Sequence, residues 1–420
     1  MEKYLSRLVE SEISTLLRLR GGVFIQGPKW CGKSTTAERF AKTVVKLQDK
    51  KVLREYQTYA ANSSENLFEG ERPILFDEWQ KIPELWDYIR NEVDQSRDKG
   101  GFLLTGSAAA KEDPNRHSGI GRISRLTMRP MSLWESGEST GQVSLKDLFG
   151  GADKISGNAK IKLDDIAYLV CRGGFPDSVL SKGDDALKVS KLYHTELVEH
   201  DITNVDEISR NPDRARRILR SYARNISSLA TNATIKEDVI ANDSTMDEKT
   251  LASYTNAFRK LFIIEDVPAW CPRLRSKTFT RTSDKRQFVD PSLAAVALGV
   301  TQKSIMKDMN TFGFLFESLC TRDLRIYADM IGGRVSHFRD ATGLEADAVI
   351  HLENDDWAAI EIKLGGQQID EAASNLLKMV EKIEIAQKNS PKFLMVLTGL
   401  DYAYRRSDGV FVVPIGCLKP

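Results

Sequence analysis

The sequence predicts a mixed α/β chain of three parts, divided at residues 1–150, 151–303 and 304–420. Three stretches carry this expectation. Gly27-Pro28-Lys29-Trp30-Cys31-Gly32-Lys33-Ser34 lies between an apolar run, Val23-Phe24-Ile25, and helix-forming residues 35–47. Residues 163–260 read as helices and are followed by a short apolar strand and a basic hairpin. After Gly332-Gly333, short strands surround one long helix.

The first stretch has the P-loop pattern of strand, glycine-bounded loop ending in Gly-Lys-Ser, and helix. Backbone N–H groups of such a loop converge on the β- and γ-phosphates. The nucleotide-binding segment is therefore Gly27, Pro28, Lys29, Trp30, Cys31, Gly32, Lys33, Ser34 and Thr35. Lys33 places its ammonium on phosphate oxygens, and the Ser34 hydroxyl suits Mg²⁺. Before the loop, residues 1–20 read as an amphipathic helix with Leu5, Leu8, Ile13, Leu16 and Leu17 near one face, stopped by Gly21-Gly22. Residues 51–60 are expected to form a second strand.

Pro73-Ile74-Leu75-Phe76-Asp77-Glu78 is an apolar strand ending in two acids, the Walker B pattern. Asp77 is expected in the Mg²⁺ shell, and Glu78 at the attacking water. Gly101-Phe102-Leu103-Leu104-Thr105-Gly106-Ser107 is a third buried strand ending in small polar residues; it resembles the strand of AAA-type ATPases whose terminal polar residue senses the γ-phosphate, which implies that role for Thr105 or Ser107. Residues 111–126 are rich in cations and glycine. Arg122, with Arg116 as the second choice, is the candidate to stabilise transition-state charge across a subunit interface.

With 60 Lys and Arg against 59 Asp and Glu, the chain has no global electrostatic bias, so any nucleic-acid surface has to be a local patch. The five cysteines form no C-x-x-C pair, which fits a reducing compartment and argues against a structural zinc site. No apolar leader or run of transmembrane length is legible. The expectation is a cytoplasmic protein without a membrane partner.

Residues 137–160, rich in Gly, Ser, Lys and Asp, read as a linker. Residues 186–210 and 213–231 read as long helices, and 234–241 and 246–260 as two shorter ones, before a strand at 261–264. Arg273, Arg275, Lys277, Arg281, Lys285 and Arg286 then crowd together around Phe279 and Phe288. Helix, turn, helix, strand and basic hairpin form a winged-helix pattern, which would set the second helix in a DNA groove and the cations on phosphates. The alternative is a helical lid with a solvated hairpin.

In the last part, a helix at 311–328 carries Glu317, and strands are expected at 335–340, 345–352, 357–363, 393–398 and 410–415, with a helix at 369–388. Asp347 precedes Glu361-Ile362-Lys363, and period-2 alternation puts Glu361 and Lys363 on one face. Asp347 and Glu361 sharing Mg²⁺ or Mn²⁺, with Lys363 beside the water, suit phosphodiester hydrolysis; Glu317 is a further candidate carboxylate. The five histidines have no metal-ligand spacing.

The succession of these motifs, with Phe76-Asp77-Glu78-Trp79-Gln80-Lys81-Ile82-Pro83, Pro130-Met131-Ser132-Leu133-Trp134-Glu135, Cys171-Arg172-Gly173-Gly174-Phe175-Pro176 and Phe288-Val289-Asp290-Pro291-Ser292-Leu293, resembles bacterial and archaeal AAA-type P-loop ATPases that carry a C-terminal domain of unknown function 4143. The resemblance implies a P-loop AAA-type ATPase domain whose third strand sits between the Walker elements, and a ring oligomer, a hexamer being favoured. The acid and E-x-K elements resemble the PD-(D/E)xK nuclease superfamily, within it the Holliday-junction-resolvase branch. That implies a restriction-endonuclease-like α/β domain completed by the helix glutamate. Ala346, in place of the superfamily's Pro, departs from the pattern. The expected function is an ATP-hydrolysing protein that binds and remodels DNA, branched DNA above all, with a metal-dependent nuclease-like domain. The alternative is a nucleotide-dependent regulatory or defence switch whose C-terminal fold only binds DNA or a protein partner.

Overall fold

In the computed structural model, residues 4–106, 121–206, 208–241, 243, 245–271, 283–387 and 390–420 are described. The N-terminal part alternates α1 (Glu10–Leu19), β1 (Gly22–Gln26), α2 (Lys33–Glu38), β2 (Thr43–Lys46), α3 (Lys50–Asn62), β3 (Ile74–Asp77), α4 (Leu85–Ser96), β4 (Phe102–Gly106) and β5 (Ile123–Thr127). All five strands are parallel, in the order β2-β3-β4-β1-β5, so β4 lies between the strands that lead to the P-loop and to Asp77. Near-continuous apolar strands are what a sheet covered on both faces requires. Phe24, Phe76, Phe102 and Leu104 pack with Trp79 and Trp86 on one face, and Val23, Ile25, Leu75 and Leu103 with Ile13 on the other.

Two expectations fail here for local reasons. The helix after the P-loop stops at Glu38, and Thr43-Val44-Val45-Lys46 form the edge strand β2. The β-branched side chains favour the pleat over the helix. Residues 51–60 are helix, not strand, because Asp49 caps α3 by accepting from the N–H groups of Lys51 (2.7 Å) and Val52 (3.4 Å).

The chain continues through β6 (Val143–Ser144), α5 (Leu145–Phe149), β7 (Gly157–Asn158), α6 (Leu163–Arg172), α7 (Pro176–Leu180), α8 (Gly183–Glu196), α9 (Ile202–Asn204), α10 (Pro212–Arg224), α11 (Asn232–Ile240), α12 (Glu248–Lys260), α13 (Pro291–Leu298), α14 (Gln302–Ile305) and α15 (Met309–Met330). It ends with β8 (Gly333–Arg339), β9 (Glu345–Leu352), β10 (Trp357–Lys363), α16 (Ile369–Gln387), β11 (Leu394–Thr398), β12 (Tyr402–Arg405), β13 (Phe411–Pro414) and β14 (Leu418–Lys419). The second sheet has the order β7-β12-β13-β11-β10-β9-β8, antiparallel through β8, β9 and β10, then parallel from β10 to β11 across α16.

The stretch 137–160 is not a free linker: β6 pairs with β14, and β7 pairs with β12. Nor do residues 261–264 make a regular strand. They belong to a hairpin held by single bridges, Ile264–Phe288 and Val267–Lys285.

Three of the glycine- and proline-punctuated motifs meet at Arg322 on α15. Its guanidinium donates to Asp290 (3.0 Å) and Asp323 (2.9 Å), all three side chains being fully buried. Asp290 also accepts from Gly174 N–H (2.9 Å), and Asp323 from Leu133 N–H (2.9 Å). Met131 N–H donates to Gly174 O (2.6 Å), and a Cβ on Gly174 would lie 2.1 Å from the Met131 carbonyl oxygen, so only glycine admits this approach.

Candidate functional site

The P-loop follows β1, and its backbone is shaped by Gly27, where φ is +150° and a Cβ would lie 2.1 Å from the Met128 carbonyl oxygen. Lys33 Nζ donates to the carbonyls of Gly27 (3.0 Å) and Pro28 (2.7 Å), which folds the side chain back across its own loop. Asp77 is the hub of the polar site. Its Oδ1 accepts from Ser34 Oγ and from Thr105 Oγ1, both at 2.5 Å, and its Oδ2 from Gln48 Nε2 at 3.0 Å. Strand register explains the set: Asp77 pairs with Thr105 on β4 and with Lys46 on β2, two residues before Gln48. A carboxylate and two hydroxyls are hard oxygen donors of the kind Mg²⁺ takes.

Glu78, at φ +58°, accepts from Gln80 Nε2 (2.5 Å). With Lys33, Ser34, Thr35 and Gln48 it faces a cleft of about 550 Å³. A second cavity of about 130 Å³ adjoins it, between Tyr4, Leu5, Met131, Pro176 and Leu180. Cys31 is buried and donates its thiol to Met128 O (3.3 Å). Lys29 and Trp30 reach the helical part: Lys29 pairs with Asp201 (2.5 Å), and the Trp30 ring meets Tyr193 edge-on at 5.3 Å. Asp201 ends a π-turn over Leu197–Asp201. Gln48, Gln80, Tyr193 and Asp201 carry no sequence signal that would have placed them here.

Arg122 lies at the opposite end of the sheet. It precedes Ile123, which pairs with Gly22 at the start of β1, whereas the P-loop follows Gln26 at its end. Arg122 pairs with Asp94 at 2.8 Å. Ser107 and Arg116 fall outside the described residues.

The second site gathers Glu317 from α15, Asp347 from β9, and Glu361 and Lys363 from β10. The β9–β10 ladder ends at the Ala348–Ile360 pair, so the next residues, Asp347 and Glu361, come side by side. Lys363 Nζ contacts Glu361 (2.6 Å) and Asp347 (3.4 Å), and Ile362 N–H donates to Asp347 Oδ2 (2.9 Å). A fifth residue completes the cluster. Lys285 Nζ contacts Glu317 Oε1 (2.7 Å) and Asp347 Oδ1 (3.1 Å).

Burial opposes the charge on Lys285, but Glu317 and Asp347 outweigh it and raise its pKa. Burial pushes Glu317 up to about 7 against the pull of Lys285. It likewise raises Glu361, helped by the Asp347 charge. Asp347 stays well below the usual carboxylate range, because Lys285 and Lys363 overcome its burial. Carboxylates of this kind suit Mg²⁺ or Mn²⁺. As folded, however, both Asp347 oxygens are engaged and Lys285 holds the position between Asp347 and Glu317, so the arrangement does not fit a metal ion. Among the described residues no group of three or more His, Cys, Asp or Glu is arranged to hold one.

The hairpin cations need correction. Lys285 and Arg286 were expected on DNA phosphates, yet both are buried. Arg286 donates to Asp266 (3.1 Å), Asn232 (3.0 Å) and Ala230 O (2.7 Å). Each cation has carboxylate partners inside the fold, which outweigh solvation. Arg273, Arg275, Lys277 and Arg281 fall outside the described residues.

Three family models match separate segments of the chain. Residues 20–136 match an AAA domain, 163–304 a domain of unknown function (DUF8612), and 312–418 a domain of unknown function (DUF4143). No match is found among curated proteins. Among solved structures, a Walker-type ATPase of Pyrococcus abyssi is similar at 15% identity, covering 70% of this chain and 96% of that one, with a TM-score of 0.43. A signal-transduction ATPase with numerous domains and a tetratricopeptide-repeat sensor, from Pyrococcus horikoshii, is similar at 12% identity, covering 93% of this chain and 55% of that one, with a TM-score of 0.23. Among the described residues no helix is long and apolar enough to cross a membrane. With an AAA domain at residues 20–136 and a DUF4143 domain at 312–418, the chain is an ATPase of mixed α/β architecture.

Proposed function

We propose that the chain is an ATP-hydrolysing DNA-processing protein, with an ATPase part (1–150), a helical and winged-helix part (151–303) and a nuclease-like part (304–420). The observation that carries the second activity is the convergence of Glu317, Asp347, Glu361 and Lys363 from three separate elements. The succession of α15, β8, β9, β10, α16 and β11 supports the PD-(D/E)xK reading. Helices α10, α11 and α12, followed by the bridged hairpin, support the winged helix.

In the ATPase part, Lys33 leaves the Gly27 and Pro28 carbonyls for the phosphate oxygens. Ser34 and Asp77 are the residues that would hold Mg²⁺, which neutralises charge on the β- and γ-phosphates when bound. Glu78 orients and deprotonates the attacking water, and Thr105 reports the γ-phosphate to Asp77. The base seats in the apolar cavity by Tyr4 and Leu180. Arg122 serves a neighbouring subunit's nucleotide: four strand residues, roughly 13 Å, separate the two ends of β1. A homo-oligomeric ring, with a hexamer favoured, follows from that role.

One observation favours the switch reading: Lys285 neutralises the acid cluster, as a domain that only binds would permit. Cleavage of single-stranded, duplex, flap and four-way-junction DNA with Mg²⁺ or Mn²⁺, with and without ATP, separates the two. Lys363→Ala should lose cutting by about 10²-fold or more while DNA binding stays nearly intact. ATP hydrolysis without cutting of any substrate would leave the switch.

A further inference from the structure

The carboxylates of the second site are held by α15, β9 and β10, but the cation between two of them comes from elsewhere in the chain. Lys285 sits on the hairpin that joins the helical part to α13, opposite Val267. Its ammonium lies 2.7 Å from Glu317 and 3.1 Å from Asp347. Lys363 covers the other side of Asp347 and one oxygen of Glu361. The remaining Glu361 oxygen, Oε1, is buried and accepts no hydrogen bond among the described residues. Buried carboxylate oxygens are ordinarily satisfied. A cluster of three carboxyl groups and two lysines thus keeps one buried carboxyl oxygen without a partner among the described residues.

We propose that Lys285 is a built-in competitor for a divalent cation: the hairpin delivers its ammonium between Glu317 and Asp347, and a metal ion enters this cluster only when that ammonium withdraws. The proposal rests on reading the cluster as a hydrolytic site, and it adds how that site is held off. Withdrawal is a swing of the side chain, because the backbone around it is tied: Lys285 exchanges both N–H···O bonds with Val267 (2.9 Å each), and Arg286 N–H donates to Ser228 O (2.8 Å). The partner strand itself is fastened. Glu265, two residues before Val267, accepts from Arg129 at 2.6–3.1 Å. The ammonium can therefore move on its flexible four-carbon stem while the hairpin and the strands that bear Asp347 and Glu361 stay in place.

The test is Mn²⁺ binding to the full chain, read by the loss of the free-ion electron paramagnetic resonance signal. Lys285→Met should bind Mn²⁺ at least about tenfold more tightly than wild type. The gain should vanish in Lys285→Met/Asp347→Ala, which separates this cluster from the Ser34–Asp77 site. Equal affinity in wild type and Lys285→Met overturns the proposal. If circular dichroism finds Lys285→Met unfolded, wild type decides. Amine labelling of Lys285, followed by mass spectrometry, should rise severalfold at saturating Mn²⁺, and labelling that stays constant overturns it.

The nuclease reading fails separately. Tighter Mn²⁺ binding in Lys285→Met without DNA cleavage keeps the competitor and removes the nuclease. Cleavage that depends on Lys363, with unchanged Mn²⁺ binding in Lys285→Met, does the reverse.

Discussion

Lys33→Ala is expected to lower kcat/KM for ATP hydrolysis by at least about 10³-fold, with no comparable loss of folding. The ammonium is the only side-chain cation within the P-loop's Gly-Lys-Ser end, and in phosphoryl transfer charge neutralisation supplies most of the rate. Its present contacts are two loop carbonyls, which water replaces at little cost. A methyl group in its place therefore leaves the sheet core intact and removes the positive charge from the nucleotide. Steady-state phosphate release, beside a thermal melt, measures both sides. Hydrolysis within tenfold of wild type would mean that another cation holds the phosphates.

Arg322→Met should destabilise the fold by about 3–5 kcal/mol, because it leaves two buried carboxylates without their partner. Asp290 and Asp323 are fully buried, and Arg322 bridges them. Asp290 also holds Gly174 N–H, and Asp323 holds Leu133 N–H, so the loss spreads from α15 to the segment after β5 and to the turn before α7. The melting midpoint should fall by roughly 3–6 °C. Arg322→Lys keeps the charge but not the planar fork, and should fall between the two. A midpoint for Arg322→Met equal to that of wild type would mean that the bridge between the two aspartates does not hold this junction together.

That junction illustrates what a single sequence conceals. Gly173-Gly174-Phe175-Pro176 is legible as a turn, and Asp290-Pro291 as a helix start, but nothing in either stretch says that they meet around one arginine. The C-terminal strands were legible because their burial follows local apolar runs: β9 and β10 span the expected residues. The edge strand β2 was hidden, because its pairing with β3 is non-local and the helix before it has only six residues. Lys285 and Arg286 were misplaced for a related reason. In a run of cations, each one reads as solvated, and only the tertiary fold reveals that Glu317 and Asp266 await two of them inside.

The cluster around Asp77 was more accessible. Walker spacing fixes Lys33, Ser34 and Asp77, and the parallel register then brings Thr105 to Asp77. Gln48 was out of reach, since its approach depends on where β2 ends.

The pairing of β6 with β14 has a consequence in time. Ser139 Oγ donates to Leu418 O across 279 residues of sequence. At translation rates of 5–20 residues per second, that partner emerges roughly 15–55 s after Ser139 itself. The ATPase sheet needs nothing beyond β5 and can close while the ribosome is still working. Strand β6 must stay unpaired for this whole interval, its edge open to other chains. Folding of the newborn protein is therefore sequential at its front and a ring closure at its back, with β14 sealing the seam.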